Sequence, residues 1–74
     1  MKIIANNYKP NEIVKIIREW SGKTQAEYAK ILNKSKDTMQ SYELGRIPIR
    51  LDQIMEIAKK ENLIITIEKK WKYI

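Results

Sequence analysis

The sequence predicts a mainly α fold, four short helices in one domain with a β-strand at the C-terminal end, on three observations. Apolar residues recur at three- and four-residue spacing in four blocks, within 13–20, 28–32, 39–42 and 51–58, the pattern of amphipathic helices. Between the blocks stand residues that end helices, Gly22, Asn33, Gly45 and Asn62. After the last of them the run LIITIE, 63–68, is β-branched and alternates Ile65 and Ile67 with Thr66 and Glu68, which reads as a strand. Seventy-four residues make one domain, and a domain of this size buries only roughly 60% of the surface its unfolded chain exposes. The expected organisation is a single unit, 1–74, with an N-terminal segment 1–10, a helical core 11–62 and the C-terminal strand 63–74.

The N-terminal segment carries a short apolar run, Ile3 and Ile4, too short for a strand without a partner. Asn6, Asn7 and Pro10 mark a turn, so the first helix starts with Pro10 in its first turn or with Asn11 as its cap. Ile13, Ile16, Ile17 and Trp20 form its buried stripe, with Trp20 expected in the core, and Gly22 stops it after Ser21. Thr24 followed by Glu27 is a capping box, hydroxyl and carboxylate each satisfying a free amide of the other, so a second helix begins at Gln25. Tyr28, Ala29 and Leu32 share its inner face, and Ala29 is small enough for another helix to pack close. Asn33 tolerates the left-handed conformation of a sharp exit. Ser35 caps a third helix whose Met39 and Tyr42 point inward, and Gly45 ends it. Pro48 keeps 46–50 out of a helix. Leu51, Ile54, Ile57 and Ala58 are the stripe of a fourth helix, with Met55 at its margin, ending near Asn62. The terminal strand begins at Leu63 and extends almost to the end of the chain. A lone strand exposes an unpaired edge, so it pairs with the 1–5 segment or with its own copy across a dimer.

Composition narrows the function. The chain has no cysteine and no histidine, which removes disulfides, thiolate and imidazole metal ligands, and a base titrating near neutral pH. No catalytic residue, metal or cofactor is expected, and an enzyme is the weakest class. The longest apolar runs are three residues, 3–5 and 63–65, far short of a membrane span, and the N-terminus lacks the apolar block of a signal peptide. The expectation is a soluble, cytoplasmic protein with no membrane partner. Fifteen Lys and Arg against nine Asp and Glu leave a formal charge of +6, which suits a polyanion, nucleic acid first. Seven bases and three acids fall in 1–34, three and two in 35–50, and five and four in 51–74. The third helix therefore carries little net charge, so affinity is expected from its flanks and sequence information from its centre.

The run from Arg18 to Leu63 resembles the helix-turn-helix domain of the phage Cro and lambda-repressor family (XRE-like). Gln25 opening the second helix, Ala29 at its close-packed position, Ser35 capping the third, and Tyr42 and Glu43 with Gly45 closing it carry the resemblance. Two residues depart from the family pattern: Asn33 stands where Gly is usual, and Lys34 where an apolar residue is usual, which leaves one corner of a small core thinner. The resemblance implies that the third helix enters the major groove N-terminal end first. Lys36, Asp37 and Ser41 match base-reading positions, and Gln40 is close enough to take part. Lys36 would donate to guanine O6 and N7 or settle on a phosphate, and Gln40 would pair with adenine. Asp37 either accepts from the cytosine amino group or only stabilises the helix start. Backbone contacts fall to Gln25 and its helix-start amide, to Lys23, Lys34, Arg46 and Arg50, and to Thr38 as a flank. The resemblance further implies a structural ion pair between Arg18 and Glu43.

Related small regulators, antitoxin-type repressors among them, carry a terminal strand that pairs across a two-fold axis. That implies a homodimer on a palindromic site, with Ile65, Ile67, Trp71 and Tyr73 at the dimer interface. The expected function is sequence-specific binding of double-stranded DNA by a dimeric transcriptional regulator, a repressor by occlusion, bacterial or phage-encoded and held at the nucleoid through DNA. The alternatives are an antitoxin that also holds a toxin, and a helix-turn-helix fold used only for protein–protein interaction.

Overall fold

The structure, a computed structural model, describes residues 2–69, so Trp71 and Tyr73 lie outside the described residues. In order the elements are β1 (Lys2–Ile4), a 3₁₀ turn (Ala5–Asn7), α1 (Pro10–Ser21), α2 (Gln25–Ile31), α3 (Lys36–Leu44), α4 (Leu51–Lys60) and β2 (Ile64–Thr66). The fold is mainly helical, with a two-stranded parallel sheet that joins the two ends of the described chain. Lys2 pairs with Ile64, Ile3 with Ile65 and Ile4 with Thr66.

Local chemistry sets the helix limits. Pro10 is the first residue of α1, and Lys9 precedes it as the extended cap, its amide donating to Glu12 Oε1 at 2.8 Å. Asn11 is thereby free for another task, and its Nδ2 donates to the Glu43 carbonyl at 3.2 Å. Three helices end in the same motif, a left-handed residue whose amide bonds back to the last turn and whose successor bonds one residue further back. At the end of α2 these bonds are Asn33 N to Lys30 O and Lys34 N to Ala29 O; after α3, Gly45 N to Tyr42 O and Arg46 N to Ser41 O; after α4, Asn62 N to Lys59 O and Leu63 N to Ala58 O. Asn33, Gly45 and Asn62 have φ of 59°, 77° and 58°, which Asn and Gly accept most readily.

α1 packs against α3 and α4, α2 against α3, and β2 against α4. Their inner faces enclose one core, in which Val14, Ile17, Tyr28 and Met39 are fully enclosed. Tyr28 meets its polar requirement by donating to Glu61 Oε1 at 3.1 Å. Burial and that carboxylate push its phenol well above the ordinary range, so it is a neutral donor. Ile49 from the α3–α4 loop also enters the core.

Three expectations need correction. Trp20 is 44% exposed: it stands in the last turn of α1, where it borders open grooves with Ile4, Tyr8 and Ile16 on one side and Asn62 and Leu63 on the other. Leu51, the first residue of α4, is exposed, whereas Ile49 from the preceding loop is buried. The terminal strand covers Ile64–Thr66 and does not run from Leu63 through 67–69, and the rest of its expected course lies outside the described residues. It stops because β1 gives way to the 3₁₀ turn, after which the Asn6 side chain replaces the ladder. Asn6 Nδ2 donates to the Glu68 carbonyl and Asn6 Oδ1 accepts from the Glu68 amide, each at 2.8 Å. Ile65, opposite Ile3 in the register, is half-buried and packs against the chain's own core. Ile67 lies beyond β2 and is exposed.

Candidate nucleic-acid interface

α2, the turn after it and α3 form a unit held at both starts by capping. Thr24 Oγ1 accepts from the Glu27 amide at 3.2 Å while Glu27 Oε1 accepts from the Thr24 amide at 2.9 Å. These bonds from the Thr24 amide and hydroxyl hold the Glu27 carboxyl below its ordinary range. Ser35 Oγ accepts from the Thr38 amide at 3.1 Å and donates to Thr38 Oγ1 at 2.9 Å. The turn between the helices needs only Leu32 to Ser35 because Asn33 takes the left-handed conformation there.

A buried polar cluster fixes the orientation of α3. The Glu43 carboxylate accepts from Arg18 Nε at 2.5 Å, from Arg18 Nη2 at 3.0 Å and from Gln25 Nε2 at 3.1 Å. Arg18 Nη1 donates to the Lys23 carbonyl at 2.9 Å, just ahead of α2. The Glu43 side chain is 4% exposed and that of Arg18 14%. The carboxylate thus ties α1 and the start of α2 to the end of α3, and the Arg18 guanidinium adds the segment before α2. The hydrogen bond to Glu43 holds the Arg18 guanidinium above its already high ordinary pKa, against the cost of burial. Asn11 adds a further bond from α1 to the Glu43 carbonyl.

The inner face of α3 is Met39, Tyr42 and Glu43. Its outer face carries Lys36, Asp37 and Gln40, all exposed, with Ser41 half-buried. Lys36, Asp37 and Gln40 fall within about one turn at the N-terminal end, where the positive end of the helix favours Asp37. Thr38 is half-buried and engaged with Ser35. Among the expected backbone contacts, Lys34 and Arg46 are exposed and Lys23 is half-buried. Gln25 is half-buried and its side-chain amide is committed to Glu43, so it serves the cluster as well as the surface. Arg50 lies in an exposed ion pair with Asp52 at 3.2 Å, which offsets its charge. Lys34 borders an open groove of 260 Å³ together with Leu32, Tyr42 and Ile49.

Two contributors were not legible beforehand: Asn11, through its bond to Glu43, and Gln25 as a structural donor. Glu12 and Pro10 beside Asn11 mark a helix start, but nothing local in the sequence shows that its amide reaches α3. Among the described residues no group of three or more His, Cys, Asp or Glu is placed to hold a metal ion, and no helix is long and apolar enough to cross a membrane. Comparison of the chain with protein families, with curated proteins and with solved structures gave no match.

Proposed function

We propose that the chain is a sequence-specific, double-stranded DNA-binding regulator of the helix-turn-helix type, acting as two copies on a palindromic site and repressing transcription by occlusion. One observation carries the reading: α3 has its inner face fixed by the Arg18–Glu43–Gln25 cluster while Lys36, Asp37 and Gln40 stand exposed at its N-terminal end. A rigid helix with outward polar side chains at that end is what major-groove readout requires. Lys36 and Gln40 offer donors to guanine and adenine edges, and Asp37 accepts from cytosine. Lys34, Arg46, Lys23 and the helix-start amide at Gln25 supply the phosphate contacts that set register, with Thr38 and Arg50 contributing less because each already has a partner in the chain. The overall charge of +6 favours approach to DNA. Such a regulator works in the cytoplasm, at the nucleoid.

The test is selection of bound duplexes from a random pool at two salt concentrations. Recovery of a palindrome, with enrichment lost when Lys36, Asp37 and Gln40 are together changed to Ala, supports the reading. No enrichment at either salt concentration refutes it. Each phosphate neutralised contributes about 0.9 to the fall of log K with log salt, so changing both Lys34 and Arg46 to Ala lowers the slope by roughly 2.

A further inference from the structure

Away from α3, a groove of 660 Å³ runs between α4 and β2. No β1 residue lines it, so it lies on the side of β2 turned away from its partner strand. Its apolar residues are open: Met55 is 60% exposed and Ile64 59% exposed, and Leu51, one turn before Met55, is exposed as well. Among the described residues this edge of β2 has no partner strand, and an unpaired edge flanked by large exposed apolar side chains is a surface built for association.

The charges on this surface select the occupant. The whole chain carries +6, yet the charged residues lining the groove are Asp52, Glu56 and Lys59, two acids and one base. An apolar groove with an acidic excess disfavours a polyanion. The charges are also self-complementary. Asp52 and Lys59 stand seven residues apart on α4, two turns and about 10 Å along one face, with Met55 and Glu56 midway between them. A two-fold axis passing between Met55 and Glu56 sets Asp52 of each copy against Lys59 of the other, twice over, and encloses both Met55 and both Ile64 side chains between the two ion pairs. The contact of Asp52 with Arg50 is an exposed one and competes weakly.

We propose that the α4–β2 groove binds a second copy of this chain, α4 against α4, with the free edge of β2 inside the interface. The proposal rests on the two-copy reading above, and Ile64 and Ile65 of β2 both line the groove it assigns.

The test uses the full chain in sedimentation velocity over a concentration series, with the variants Asp52→Lys, Lys59→Asp and Met55→Glu. The wild type is expected to pass from monomer to dimer as concentration rises. Asp52→Lys and Lys59→Asp each place like charges together twice and weaken the dimer at least about ten-fold. An equimolar mixture of those two variants restores opposite charges at both contacts and recovers dimerisation, which misfolding of either variant cannot produce. Met55→Glu keeps the circular dichroism of the wild type and stays monomeric. A wild type that remains monomeric at every soluble concentration, or a mixture no better than its two components, overturns the proposal. Binding of wild type and Met55→Glu to a duplex with one half-site is measured alongside. Half-site binding without a dimer removes the interface and leaves the DNA reading in place. A dimer abolished by Met55→Glu, with no half-site binding by either protein, does the reverse.

Discussion

Replacing Glu43 by Gln keeps the shape of the side chain and removes the charge on which three donors converge. The carboxylate accepts two bonds from Arg18 and one from Gln25, at 2.5, 3.0 and 3.1 Å, in a setting where only 4% of its side chain meets solvent. The Gln amide offers one oxygen in place of two and turns an NH₂ group toward a guanidinium that can only donate. Bonds to charged groups contribute about 1.5–3 kcal/mol each, without full additivity, and breaking a buried pair from one side costs about 3–5 kcal/mol. Arg18 remains 14% exposed, so the low end applies, about 3 kcal/mol. At roughly 0.05–0.15 kcal/mol per residue the whole domain has only about 4–11 kcal/mol of stability. Melting followed by far-UV circular dichroism should therefore fall by roughly 12–24 °C, and the fall should persist in high salt because the pair is shielded from solvent. From the arginine side the contribution is present below the ordinary Arg pKa and lost only as pH rises through its raised folded value, so it does not change around neutral pH. The double change Arg18→Met with Glu43→Leu, which removes both charges, should recover most of the loss. A loss below about 1 kcal/mol for Glu43→Gln, the range of an exposed pair, would refute the claim that this cluster holds α3.

Three further outcomes are expected. Nuclear magnetic resonance titration of the Glu27 carboxyl should give a midpoint below the ordinary range: the capping box contributes fully above the unfolded pKa and is lost as pH falls through the lowered folded one. Thr24→Ala should return that midpoint toward ordinary and cost about 1 kcal/mol in urea unfolding. Gly45→Ala should destabilise by about 1–2 kcal/mol through its left-handed φ of 77°, not through crowding, since the new Cβ would meet Asn11 Cγ at an ordinary 3.6 Å. Asn6→Ala removes both bonds to the Glu68 backbone, so hydrogen exchange at the Glu68 amide should speed up while that at Met39 is unchanged; equal acceleration at both would mean that Asn6 supports global stability.

Helix limits were legible because their causes are local. Thr24 with Glu27, Ser35, Asn33 and Gly45 act on backbone groups within a few residues, and each acts in the structure as its neighbours in sequence imply. What was not legible depends on distant partners. Ile49 reads as a loop residue until α4 is packed beside it, and Trp20 reads as core until the helix is seen to outrun its cover. The alternation in 63–68 identified a strand but not which face turns inward; that depends on Ile3 lying opposite Ile65. Of the candidate site, the outward residues of α3 followed from periodicity, whereas the meeting of Arg18 with Glu43, twenty-five residues apart, came from family resemblance alone. Gln25 shows the limit of such carry-over, since a position matched for its role at the surface also holds the interior together.

The parallel pairing of β1 with β2 has a consequence for the order of events during synthesis. The Asn6–Glu68 bonds span sixty-two residues, so the sheet cannot close until all of that stretch has been made. The contacts among α1, α2 and α3 need far shorter stretches of chain and can form earlier. Ile3, buried in the finished protein, is therefore made ahead of all four helices and waits for cover until Ile65 has followed. Throughout that interval the nascent chain carries an unpaired apolar strand, the state in which a chaperone or protease has its best opportunity.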